Sequence, residues 1–146
     1  LLNYPYANQL CRVKLTGKEL RHIIEHSAGF LKKDEAGNIG FIDRWIKPKP
    51  MLYHFDVFYP VEYEADLSRP VGERLTKLTL HGKPIKDDQI YHLAVNNYRA
   101  MGGGFYPEYS MEKIETTLDK DYVQMFSEYL THGPVEVDTK KNYKFY

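Results

Sequence analysis

Residues 9–15 (QLCRVKL) set Leu10, Val13 and Leu15 against polar neighbours in an imperfect alternation, which predicts a strand. Thr16-Gly17-Lys18-Glu19 follows at once. A threonine three residues ahead of a glutamate is a capping box, with each side chain able to satisfy the other residue's backbone N–H. The pattern predicts a helix over 17–28, with Leu20, Ile23, Ile24, Ser27 and Leu31 on one face and Gly29 as its stop. Residues 32–50 are polar, then rich in glycine and proline, and read as a long loop of the functional or mobile kind. Residues 51–59 and 61–67 read as strands meeting at Pro60, so Tyr53 is expected in the core or a sheet. Residues 75–80 and 89–95 are further strands with a turn at His81-Gly82-Lys83-Pro84 between them. Tyr122, Val123, Phe126, Tyr129 and Leu130 mark a second amphipathic helix ended by Gly133-Pro134, and 143–146 closes the chain as a strand. Strands outnumber helices without alternating regularly with them. The class is therefore α+β, with a mixed, largely antiparallel sheet and two main helices.

At 146 residues the chain has the size of one domain and can bury a core without disulfides or metal. Twenty basic residues balance twenty acidic ones, which argues against a nucleic-acid polymer as partner. The single cysteine, Cys11, forms no internal disulfide and lies mid-strand, where burial is expected. No run is long and apolar enough to span a bilayer. The chain begins without methionine, almost directly on strand-like sequence, and reads as a piece of something longer.

Two stretches could carry chemistry. His22-Ile23-Ile24-Glu25-His26 matches H-x-x-E-H, a zinc-peptidase signature. The helix's apolar stripe directs both histidines to solvent, however, and no later segment offers a third ligand. Two solvated histidines are the simpler reading. The second stretch is Asn96-Asn97-Tyr98-Arg99-Ala100-Met101-Gly102-Gly103-Gly104-Phe105-Tyr106-Pro107, which follows a strong strand. Gly102, Gly103 and Gly104 permit positive φ and close backbone approach, leaving amide N–H groups for a ligand. Asn97 and Arg99 supply donors. Phe105 and Tyr106 supply rings that could stack on a flat heterocycle opposite Tyr53. A plain flexible loop with buried aromatics remains the alternative. It is not a P-loop, because the Lys-Ser/Thr ending is missing.

Four blocks in order, YPYANQLCRVKLTGKEL, EHSAG, YHFDVFYPVEYEADLSRP and LTKLTLHGKPIKDDQIYHLAVNNYRAMGGGF, resemble the C-terminal domain of the 5′-nucleotidase family. The branch they resemble is the bacterial 2′,3′-cyclic-nucleotide 2′-phosphodiesterase/3′-nucleotidase. The resemblance covers almost the whole chain. It implies that residues 1–146 are one nucleoside-binding domain of a larger two-domain hydrolase. The partner implied is an N-terminal metallophosphoesterase domain of the same chain, which holds two divalent metals and activates water. This fragment itself would carry no cofactor and hydrolyse nothing. The resemblance further implies a nucleotide or nucleoside ligand, nucleotide catabolism, and an extracellular, cell-wall or periplasmic location. Tyr53 matches one stacking aromatic, and Phe105, Tyr98 or Tyr106 the other. Glu108 is the candidate for an acidic ribose ligand, and the family's phosphate-binding arginines would precede Leu1. The competing class is a non-catalytic surface module binding glycan or protein.

Overall fold

The computed structural model describes residues 6–136 and 138–146. Tyr4 and Pro5, which open the first block of the resemblance, lie outside them.

Strand β1 (Gln9–Thr16) is the centre of a three-stranded antiparallel sheet, flanked by β7 (Ile90–Asn96) and β8 (Ile114–Asp121). Its alternate residues Cys11, Val13 and Leu15 are buried against helix α1 (Gly17–Ala28). The capping box forms as expected. Thr16 Oγ1 accepts the Glu19 N–H at 3.2 Å, and Glu19 Oε2 accepts the Thr16 N–H at 2.9 Å. The α1 stripe is also as expected, with Leu20, Ile23, Ile24 and Ser27 all buried. Gly29 ends the helix for a different reason from the one expected. Its φ of −65° is ordinary right-handed backbone. A Cβ there would press on Val71 and the His26 carbonyl, so glycine is needed for packing rather than for conformation.

A second sheet has the order β6 (Lys83–Pro84), β5 (Leu75–Leu80), β4 (Val61–Ala65), β9 (Tyr143–Phe145). The β4–β9 pair is parallel and all others are antiparallel, so the mixed α+β class holds. Val61, Tyr63 and Leu78 from this sheet meet β1 and α1 in one core.

Four expectations need correction. The long loop over 32–50 contains a short hairpin, β2 (Leu31–Lys33) with β3 (Ile39–Phe41), and a 3-10 turn at Asp43–Trp45. Asp34 closes the hairpin by accepting the Asn38 N–H at 2.8 Å, and Gly37 takes φ +86°. Leu31, expected on the helix stripe, is the buried first residue of β2. Residues 51–59 are not a strand. They make a 3-10 turn at Leu52–His54 and then run irregularly, because side chains from elsewhere take the carbonyls that a ladder would use. Finally, the stretch after β7 is not all loop, since it starts as a one-turn helix, α2 (Asn97–Ala100), whose first turn is capped by Asn96 Oδ1 accepting the Arg99 N–H at 2.7 Å. The second amphipathic helix, α3 (Tyr122–Leu130), forms as expected.

Candidate functional site

Helix α2, the glycines and the 52–54 turn are joined by one buried side chain. Arg99 is 5% exposed. Its Nε meets Asp56 Oδ2 at 2.7 Å and its Nη2 meets Asp56 Oδ1 at 2.9 Å, a two-pronged ion pair. Nη1 donates to the Gly103 carbonyl at 2.5 Å, and Nη2 reaches the Tyr53 carbonyl at 3.3 Å. Arg99 was expected to offer donors to a ligand. Its donors are instead spent on the protein's own backbone, and it acts as the strut that holds the loop.

The glycines likewise serve the fold. Gly102 (φ +89°) and Gly104 (φ +82°) adopt backbone that favours glycine. A Cβ on Gly104 would collide with the Arg99 guanidinium, and one on Gly103 with the Tyr98 ring. The Gly102 and Gly103 N–H groups bond to the Arg99 and Tyr98 carbonyls, so they are not left for a ligand. Asn97 Oδ1 accepts the Gln9 N–H at 3.3 Å.

Tyr106 is also corrected. It is fully buried, and its hydroxyl donates to the His54 carbonyl at 3.0 Å. It therefore belongs to the core and presents no free face. Tyr98, by contrast, is 46% exposed, with its ring 6.3 Å from His54 and nearly parallel to it.

Tyr53 and Phe105 remain, and both are 62% exposed, so Tyr53 is neither a core nor a sheet residue. Both rings flank the buried His54, at 4.2 Å for Tyr53 and 5.4 Å for Phe105. Phe105 also lies 5.9 Å from Trp45. Phe105 holds φ +65°, in the left-handed region that bulky residues avoid. An exposed ring in costly backbone is the combination that functional sites tend to retain.

Three polar atoms buried without a hydrogen-bond partner, His26 Nε2, Trp45 Nε1 and His54 Nδ1, belong to this ring cluster. The others among the described residues are Glu108 Oε2, Tyr109 Oη and Tyr63 Oη. Glu108 also approaches His22 at 3.6 Å.

His26 does not face solvent as expected. Its ring packs edge-on against Tyr106 at 4.4 Å and Phe30 at 5.5 Å. Glu25 is buried, and its carboxylate accepts the Arg74 N–H at 3.0 Å and the Leu75 N–H at 2.6 Å. The H-x-x-E-H stretch is thus dispersed into one exposed histidine, one packed histidine and a structural carboxylate. Among the described residues, no group of three or more His, Cys, Asp or Glu could hold a metal.

Burial lowers the pKa of both His54 and His26 from the ordinary 6.5. The charge of Arg99 adds to this at His54, while at His26 the Gly104 carbonyl and Glu108 oppose it. The fold therefore keeps both rings neutral at pH values where the unfolded chain takes up protons, and stability rises with pH across that window. It should be complete above about 6.5 and fall as the pH drops towards the folded-state values. Urea midpoints measured between pH 7.5 and 5.5 should decline, and His54→Asn should flatten the decline. An equal decline in that variant would exclude His54 as the source.

A cavity of about 540 Å³ reaches Asp56 and Arg99 and is walled by Phe58, Val61, Leu93 and Val95 among others. Neither Tyr53 nor Phe105 lines it, so its size does not make it the aromatic site.

Residues 1–111 match the family model described as 5′-nucleotidase, C-terminal domain. The chain belongs to that family. This 5′-nucleotidase C-terminal domain is 31% identical to the 2′,3′-cyclic-nucleotide 2′-phosphodiesterase/3′-nucleotidase of Haemophilus influenzae, over 97% of this chain and 24% of that protein. It is 35% identical to the protein of the same name from Salmonella typhimurium, over 70% of this chain and 18% of that one. A crystal structure from Staphylococcus aureus, described as a 5′-nucleotidase in complex with alpha-ketoglutarate, superposes with a TM-score of 0.85 at 27% identity. That superposition covers 98% of this chain and 28% of the other. The domain thus spans between 18% and 28% of the length of these three relatives. Among the described residues no helix is long and apolar enough to cross a membrane.

Proposed function

We propose that this domain binds the nucleoside part of a nucleotide, with the base stacked between Tyr53 and Phe105. On this reading it sets the specificity of a two-domain, metal-dependent phosphohydrolase, exported to the periplasm, cell wall or medium. The observation that carries the reading is the pair of exposed rings on separate segments, both packed on His54 and both anchored through Arg99. Every base has a π face, so such a pair accepts a nucleobase whatever its identity. Two divalent metals and the bond-breaking water would belong to the N-terminal domain, and this domain's own residues hold and orient the base. Asp56 and Arg99 keep the two walls in register, because Arg99 bonds both the Tyr53 and the Gly103 carbonyls.

Adenosine titration followed by tyrosine fluorescence and amide shifts tests this. Shifts should concentrate at Tyr53 and residues 97–106. Tyr53→Ala and Phe105→Ala should each weaken binding by roughly 5-fold to 150-fold, the worth of one stacked base at about 1–3 kcal/mol. No shift at millimolar adenosine would refute the reading. Saturable binding of an oligosaccharide by the same residues would favour the surface-module reading instead.

A further inference from the structure

On Trp45, which packs against Phe105, sits a cation that no carboxylate among the described residues neutralises. Arg44 is exposed, and its guanidinium carbon lies 4.6 Å from the centre of the Trp45 ring. Phe30 stacks on the same indole at 4.0 Å, nearly parallel, so Trp45 is a rigid platform. Trp45 is buried and also touches Phe105 at 5.9 Å and His54 at 6.5 Å. The charge of Arg44 is near enough to help depress the His26 imidazole. Its neighbours are engaged elsewhere. Asp43 accepts from Lys32 at 2.8 Å and from Lys47 at 3.3 Å. Among the described residues no carboxylate pairs with Arg44, and the strand-and-turn segment around it adds Lys33 and Lys49 to the positive side.

An arginine held over an aromatic face has its stem fixed while its guanidinium edge stays open to a planar or tetrahedral anion. We infer that Arg44 is a specificity residue that contacts the phosphate of a nucleotide whose base lies against Phe105, so that the domain prefers nucleotides to nucleosides. This rests on the nucleoside-binding reading and extends it to the charge of the ligand. It assigns the domain an anion contact of its own, built on the Trp45 platform and adjoining the base site.

Calorimetric titration of the unaltered domain, Arg44→Met, Arg44→Lys and a Lys49→Met control with adenosine, 3′-AMP and 5′-AMP tests it. At least one monophosphate should bind the unaltered domain more tightly than adenosine, by a margin that shrinks with added salt. Arg44→Met keeps the stem on Trp45 and removes the charge. It should weaken that monophosphate about tenfold, as for the loss of one charge-assisted hydrogen bond, and leave adenosine within twofold. Arg44→Lys should recover part of the loss, and Lys49→Met should change neither ligand. Equal weakening of adenosine and monophosphate would overturn the inference, because Arg44 would then act only by propping Trp45. No change in either would overturn it too. If adenosine fails to bind the unaltered domain, the nucleoside-binding reading itself falls, and this inference with it.

Discussion

Arg99→Met should destabilise the domain by about 3 kcal/mol, because removing one partner of a buried ion pair costs roughly 3–5 kcal/mol and Asp56 retains some access to water. The loss has several sources. The Asp56 carboxylate keeps its charge and loses both contacts to the guanidinium. The Gly103 and Tyr53 carbonyls lose their donor together. Methionine restores the volume of the stem but none of these bonds. Urea denaturation gives the size of the effect, and Arg99→Met/Asp56→Asn completes a double-mutant cycle. The double variant should be less destabilised than the two single changes summed, because it buries no lone charge. Adenosine binding should also fall, since the variant no longer ties the Phe105 loop to the Tyr53 turn. A loss below about 1 kcal/mol, with additive single changes, would show that the pair does not hold the loop.

That role was out of reach of sequence reading for a definite reason. An arginine in a glycine-rich loop looks the same whether it faces a phosphate or its own backbone. Only the fold reveals that residues 53–56, more than forty positions away, supply its acceptors. The same limit explains the failed strand over 51–59. Its β-favouring composition was real, but the carbonyls of Tyr53 and His54 are taken by Arg99 and Tyr106, leaving no ladder to form. Strand β8 carries no strand signal in the sequence because most of it is exposed and lacks alternation, and it is specified by pairing with β1. What was legible is local chemistry with local partners. The Thr16–Glu19 box, the α1 stripe from Leu20 to Ser27 and the second amphipathic helix appear as expected. Asp121 and Gln124 form another capping box of the same kind, whose residue spacing the sequence also displays. Phe105 is a candidate already from the glycine-rich loop, whereas Tyr53 is put forward by family resemblance and periodicity alone places it in the core or a sheet.

Glu25→Ala should cost about 3–5 kcal/mol, although the residue sits in a stretch that looks catalytic. Its two carboxylate oxygens accept the successive N–H groups of Arg74 and Leu75, where β5 begins. Arg74 is itself buried. Its Nη1 donates to the Ala28 and Leu31 carbonyls at 2.8 Å each, and its Nε to the Arg69 carbonyl at 3.1 Å. The C-terminal end of α1, the start of β2 and the start of β5 therefore meet at one carboxylate and one guanidinium. Burial lowers the Arg74 pKa, and the Glu25 charge opposes that shift. Alanine would leave two backbone donors without acceptors and a buried cation without its counter-charge. Glu25→Gln separates these terms, because it keeps one acceptor oxygen but turns an amide donor towards a backbone donor. It should fall between the parent and Glu25→Ala in urea denaturation. Metal content distinguishes this structural role from a catalytic one. A folded Glu25→Gln domain that loses stoichiometric zinc present in the parent would reverse the assignment, whereas zinc-free parent and variant that differ only in stability would bear it out.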